Sequence, residues 1–424
     1  MTSQTVTQAA RSDIQVEATS IPELQTQLLL HQAKQPYEID NAREIPKILP
    51  GELLVQVQAV GLNPIDWKSA EYGFALPSFP CVNGREFVGK VIREHSAQRS
   101  DIKLGDSVLS ICTDYRDFRK SAFQEYAAVN DFSAVKVSSD SQSSRAAAVG
   151  VAFVAASIGL GICLGLTFPV PKQPQPLDLL EISRSQGKDN IPEDIFDEVF
   201  NAISLWNRPS AGDWILIYGA SSVTAQVAIQ LAKWGGLRVV AIADREKHGS
   251  RLEALGADKI IDRHDLEKAA DEIRSEIPMP IRFALDTVGS ETSTWCQNVL
   301  ASRIGVQYRP SILQNGTNSV VMGSASSLPH LVCLTGSPKE VNSNVRVHEV
   351  PIKLFHTNRD IGAEISEWLS VLLESGDLRL PETVFVDGGL NAIGSSLQRL
   401  KTGELSGKRL VVKMRMNDVH LPST

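Results

Sequence analysis

The stretch Trp214-Ile215-Leu216-Ile217-Tyr218-Gly219-Ala220-Ser221-Ser222-Val223-Thr224-Ala225-Gln226-Val227-Ala228-Ile229-Gln230-Leu231-Ala232-Lys233 decides the fold. Trp214 to Tyr218 is a short apolar run with a breaker before it and Gly219 after it, which reads as a buried parallel strand. Val227 to Lys233 keeps a helical pattern. The small-residue turn between them completes the parts of a dinucleotide phosphate site, where backbone N–H groups and a helix N-terminus face a pyrophosphate. The turn departs from G-x-G-x-x-G, because Ser222, Val223 and Ala225 stand where later glycines are usual. On its own it is equally an ordinary βα turn.

The residues downstream favour the nucleotide reading. Leu237 to Ala243 is a second buried run, ending at Asp244-Arg245. Asp244 lies 25 residues past Gly219, where a doubly wound fold places the group that meets the adenosine ribose. A helix carrying Leu252 and Leu255 ends at Gly256. Lys259 to Asp262 and Phe283 to Gly289 read as third and fourth strands, so the pattern is βαβαβ.

The chain has 424 residues, comfortable for two domains. Its formal net charge of -7 argues against nucleic-acid or membrane-surface partners. The five cysteines (Cys81, Cys112, Cys163, Cys296, Cys333) include no C-x-x-C pair, so neither a disulfide framework nor a structural zinc lobe is expected. A reducing, cytoplasmic compartment is the simplest expectation. The polar stretch 1–20 reads as a mobile tail without a secretory signal. Residues 21–165 carry short strands with Gly and Pro turns: Glu52 to Val60, Phe87 to Ile92, Asp106 to Leu109 and Phe123 to Val129. These suggest a β-barrel-type domain, to which Val411 to Lys413 returns as a closing strand.

Ala146 to Phe168 is apolar and long enough to cross a bilayer, but four glycines and the lack of basic flanks favour a buried interdomain helix. Residues 166–210, with Pro169, Pro171, Pro174 and Pro176, read as a surface insertion. Ile361 to Gly376 and Leu390 to Thr402 read as amphipathic helices. Cys163 reads as packing. His31, His95, His264, His330, His348 and His420 show no ligand spacing.

Asn63-Pro64-Ile65-Asp66-Trp67-Lys68, Gly84-Arg85-Glu86-Phe87-Val88-Gly89 and Leu104-Gly105-Asp106-Ser107-Val108, together with the phosphate turn, resemble the medium-chain dehydrogenase/reductase superfamily. The match runs from about residue 45 to residue 413. Gly219-Ala220-Ser221-Ser222-Val223-Thr224 and Gly403-Glu404-Leu405-Ser406-Gly407-Lys408-Arg409-Leu410-Val411-Val412 resemble more narrowly the fungal trans-acting enoyl reductases that serve polyketide synthases of the lovastatin type; quinone oxidoreductases are the wider branch. The resemblance implies an α/β architecture. A GroES-like domain would span 21–165, a Rossmann domain 211–354, and a return to the first domain 355–424.

It also implies a chemistry. In the zinc branch a Cys sits where this chain has Asn63-Pro64-Ile65, and a His where it has Arg85. No zinc is therefore expected, and alcohol oxidation lacks a means of making an alkoxide. Reduction of an activated C=C bond needs no metal: hydride attacks the β-carbon, and hydrogen bonds or a cation stabilise the enolate. Lys68 is the expected catalytic residue, with Asp66 orienting it. The expected cofactor residues are Ile65, Asp66, Trp67 and Lys68; the turn Ser221, Ser222, Val223 and Thr224; the 2′-ribose segment Asp244, Arg245, Glu246 and Lys247; Arg263 near the adenosine; Val321 and Met322 near the nicotinamide strand; and Val411 and Val412 on the terminal strand. Expected substrate walls are Val151, Phe153, Val154 and Ala155 on one side, Ile352 and Phe355 on the other. A carboxylate at Asp244 suits NADH, while Arg245, Lys247 and His248 suit NADPH, which is preferred. The expected partner is a carrier-bound enoyl substrate of a polyketide synthase, or a small molecule, with the protein a monomer or homodimer. Two alternatives stay open: a stand-alone quinone or alkenal reductase, and a non-catalytic homologue acting as an interaction protein.

Overall fold

The computed structural model describes residues 21–96, 99, 101–138, 143–171, 173–302 and 328–415. The first lobe is built from antiparallel strands. β1 (Leu24–Leu30), β2 (Glu38–Glu44) and β4 (Cys81–Val82) form a small sheet. β3 (Glu52–Leu62), β5 (Glu86–His95), β6 (Ser107–Ile111), β7 (Tyr126–Asn130) and β8 (Val135–Val137) form the main one. β3 is its spine. One edge pairs with β5, and the register slips between Val57 and Ala59. The other edge is shared: Glu52 to Gln56 pair with β7, and Ala59 to Leu62 pair with a strand from the far end of the chain. A bulge bends a strand and increases its twist, which lets one strand serve two neighbours on the same side and curls the sheet.

Helix α1 (Pro64–Tyr72) follows β3, and α2 (Gly150–Ile158) leaves the barrel. The apolar run 146–168 is not one helix. A 3-10 stretch precedes α2 and a π turn, Gly159–Cys163, follows it. Among the described residues no helix is long and apolar enough to cross a membrane. α2 lies against α5 (Val223–Trp234), after the short helices α3 (Leu179–Ser185) and α4 (Phe196–Phe200). Segment 166–210 differs from the expected surface insertion. Phe168, Leu177, Leu179, Leu180, Ile191, Ile195 and Val199 are buried in the largest core cluster, beside Phe153, Ile215 and Leu369. The prolines stop regular structure only at its start; the apolar positions beyond them pack inward.

The second lobe is a six-stranded parallel sheet. Its strands are β9 (Trp214–Tyr218), β10 (Arg238–Ala243), β11 (Lys259–Asp262), β12 (Phe283–Asp286), β13 (His330–Cys333) and β14 (Arg346–Glu349), in the order β11-β10-β9-β12-β13-β14. That is the doubly wound order 3-2-1-4-5-6, whose switch point lies between β9 and β12. The crossovers are α5, α6 (Arg245–Ala254), α7 (Leu266–Glu276) and α8 (Ser290–Ala301). The chain then runs through α9 (Leu354–Thr357) and α10 (Arg359–Ser375) to β15 (Glu382–Asp387), α11 (Ile393–Lys401) and β16 (Lys408–Lys413). β16 enters the first lobe between β15 and β3. One core cluster joins barrel residues Ala59, Val88 and Leu109 to sheet residues Ile215 and Ile217 through α2, so the lobes share an interior.

Candidate active site

The turn after β9 sits at the switch point. Gly219 has φ +71, and a Cβ there would lie 2.4 Å from Val288 Cγ2 and 2.5 Å from Thr287 Oγ1. Glycine is required for both reasons. Ser222 caps α5, its Oγ accepting from the Ala225 N–H (3.2 Å). The remaining first-turn N–H groups of α5 have no partner within the helix, the usual anion-binding arrangement. Thr287 was missed by sequence reasoning, since nothing but its place at the end of the fourth strand marks it. Its Oγ1 lies 2.9 Å from Ser222 Oγ and 3.1 Å from both Tyr218 O and Gly219 O. Gln226 was also missed: its Nε2 donates to Ser221 O (2.8 Å) and to Gly407 O (2.9 Å). His248 Nε2 meets Ser406 Oγ at 3.1 Å. The segment before β16 is thereby fastened over the turn.

Asp244 ends β10 and caps α6, its Oδ1 accepting from the Lys247 N–H (3.0 Å). Its Oδ2 lies 3.9 Å from His264 Nε2. Arg245, Lys247, Arg263 and His264 are exposed around it. Glu246 is exposed as well. The carboxylate is thus engaged by a helix N-terminus, and the surrounding rim is mixed: Arg245, Lys247 and Arg263 bring positive charge, while Glu246 and Asp262 bring negative charge, with Asp262 Oδ1 2.9 Å from His264 Nδ1.

On the barrel side, Pro64 opens α1 and Asp66 accepts from the Asn63 N–H (2.7 Å). This explains the Asn-Pro-x-Asp spacing as a helix start. Asp66 is fully buried, and its Oδ1 has no partner. Burial pushes its carboxyl up to about 7, against the pull of the Arg85 guanidinium. Asp66 therefore does not orient Lys68: residues two apart on a helix face different ways, and the carboxylate is occupied with its own cap. Lys68 is half-buried, and burial lowers its ammonium pKa. Among the described residues no carboxylate forms a salt bridge with it, and its ammonium lies 5.9 Å from the centre of the Trp67 ring. Ile65, one turn earlier, shares its face and is half-buried. Trp67 belongs elsewhere. It lines a cavity of about 380 Å³ with Tyr37, Leu390, Leu397 and Lys401, on the side of α1 that meets α11.

Glu86 ties the site together. It is fully buried; Oε1 accepts from Asn63 Nδ2 (2.9 Å) and Oε2 from the Val151 N–H (2.8 Å). Burial raises its pKa, opposed chiefly by Arg409. Arg409 is itself buried, donating to Ala148 O and Leu62 O. One carboxylate thus fixes the first turns of both α1 and α2.

A catalytic zinc does not fit these residues. Arg85, where an imidazole would be needed, is a permanent cation lying 3.9 Å over the Tyr115 ring and donating to Ala75 O. Asn63 is committed to Glu86. The Cys81 thiol is pushed up to about 11 by burial. None of the three belongs to a ligand cluster among the described residues.

The substrate wall needs correction. Phe153, Val154 and Phe355 are fully buried, and Phe153 packs on Trp368 at 5.0 Å. They are core. Val151 and Ala155, one turn apart, are only partly buried and form the less enclosed face of α2. Ile352 is partly buried on the opposite segment. Val411 and Val412 are also core, and β16 is paired on both edges; Ser406 and Gly407 are the residues of this segment that reach the turn. Val321 and Met322 lie outside the described residues.

Comparisons with known proteins agree with this architecture. The alcohol dehydrogenase GroES-like domain model matches residues 49–139. The trans-enoyl reductase mycC of Thermothelomyces thermophilus is 27% identical over 425 aligned positions, covering 93% of this chain and 98% of that protein. Among solved structures, the CurK enoyl reductase superposes with a TM-score of 0.64 at 16% identity, covering 92% of this chain and 99% of its own. The mycobacterial protein Rv1454c, solved with NADPH, gives 0.63 at 16%, with the same coverages.

Proposed function

We propose that the chain is a medium-chain dehydrogenase/reductase that reduces the activated C=C bond of an enoyl thioester presented by a polyketide synthase; its match to the GroES-like domain over residues 49–139 and to a trans-enoyl reductase along most of its length supports the reading. The observation that carries the reading is the match with a trans-enoyl reductase over 93% of this chain and 98% of that protein.

A nicotinamide cofactor supplies the hydride when bound. NADPH is the form that the cations Arg245, Lys247 and Arg263 favour, set against the carboxylates of Asp244, Glu246 and Asp262. The residues of the chain do the rest. The α5 N-terminus and Ser221 to Thr224 would hold its pyrophosphate; Thr287 keeps the turn in shape. Lys68, short of partners and partly desolvated, donates toward the nicotinamide ribose or the thioester oxygen as enolate charge builds. Val151, Ala155 and Ile352 face the acyl chain. Water is the simplest proton source for the α-carbon.

The test is turnover of a pantetheine-linked enoyl substrate against a simple quinone, with NADPH and NADH each titrated by fluorescence. Enoyl turnover with NADPH supports the proposal. Preference for the quinone favours a stand-alone reductase. Failure to bind either cofactor leaves an interaction protein.

A further inference from the structure

Cys163, Glu198 and His348 come from three separate parts of the chain: the end of the π turn, helix α4 and edge strand β14. None has a ligand-like neighbour in sequence. In the fold, one donor atom from each lies within 4.8 Å of the other two. Cys163 and His348 are fully buried, and Glu198 is partly buried. His348 Nδ1 meets Glu198 Oε2 at 2.8 Å, and its Nε2 meets His330 Nδ1 at 2.8 Å. The His330 ring stacks on it with centroids 5.1 Å apart, and His330 Nε2 is buried without a partner. Arg346, the nearby cation, is paired with Asp197.

We propose that Cys163, Glu198 and His348 bind a divalent transition metal of the zinc class, with His330 fixing the His348 ring from behind. Thiolate, carboxylate and imidazole are the donors zinc takes, at about 2.0–2.3 Å. Ligand atoms already gathered this closely need only side-chain rotation. Two anionic donors balance the dication, and three protein ligands leave a position for water. The His348–His330 bond is the outer partner that a metal-bound histidine usually has. On binding, the Cys163 thiol releases its proton, and the neutral His348 ring ligates through Nδ1 with its single proton on Nε2, donated to His330 Nδ1. The ligands lie at the edge of the sheet, not at the switch point. The role is therefore a staple holding segment 166–210 against β14, independent of hydride transfer.

The full-length protein, stripped with EDTA and dialysed, should take up one equivalent of Co²⁺ and show a thiolate-to-cobalt band in the near ultraviolet. Zn²⁺ should displace the band and raise the melting temperature. Cys163→Ser should abolish the band, and Glu198→Gln, isosteric and partly exposed, should weaken affinity at least tenfold. No band in the wild type, or a band that survives Cys163→Ser, overturns the assignment. NADPH affinity should be the same with and without metal; a large change would overturn the independent-staple role.

Discussion

Asp66 shows how far a conspicuous residue can be from its apparent task. Its spacing from Lys68 invites a pairing, yet the helix geometry turns it inward. Its folded pKa, about 7, lies above that of an unfolded aspartate. The folded state therefore holds the proton more tightly, and this contribution to stability is full below about pH 4 and lost as pH rises through 7. Asp66→Asn should flatten that part of the melting-temperature profile, measured from pH 4 to 8; an unchanged slope would refute the assignment. Lys68→Ala should lower kcat/KM roughly ten- to a hundredfold, with NADPH binding weakened less, if Lys68 acts mainly on the developing enolate. Glu86→Gln removes the charge facing Arg409 and loosens both Asn63 and the α2 N-terminus. A loss of about 3 kcal/mol or more in denaturant unfolding is expected.

At the scale of elements, strands were the most legible feature. β9 and β11 have the boundaries that the breakers around them suggest, because a buried parallel strand is a short apolar run that Gly and polar residues cut off at both ends. α2 was harder. A helix apolar on every side carries no moment to say which face meets a ligand. Phe153 and Val154 drew attention by size and position, while Val151 and Ala155 form the less buried face. Two substitutions separate these faces. Phe153→Ala should destabilise the protein by about 3–5 kcal/mol by opening a core cavity. Ala155→Phe should leave the melting temperature nearly unchanged and raise KM for long acyl chains. At the turn, Gly219→Ala meets both the positive φ and the contacts with Thr287 and Val288. A cost of roughly 1–3 kcal/mol and at least tenfold weaker NADPH binding should follow, read by calorimetry and titration.

At the scale of the molecule, the two lobes were visible in the order of strands, but their union was not. Segment 166–210 has prolines and polar runs that mimic a loop, and only the three-dimensional contacts of Leu179, Ile195 and Val199 reveal it as interior. Ser406 and Gly407 likewise gain their role from His248 and Gln226, more than 150 residues away in the chain. Such links leave no local pattern.

The placement of β16 governs the order of assembly on the ribosome. Leu410 and Val412 complete the interior of the barrel whose first strands were made nearly four hundred residues earlier. The early half must wait, incomplete, until the last strand emerges, whereas the nucleotide lobe has all its strands beforehand. A truncation ending at residue 400 should accumulate in inclusion bodies, and supplying the missing strand as a separate peptide should rescue part of it into the soluble fraction.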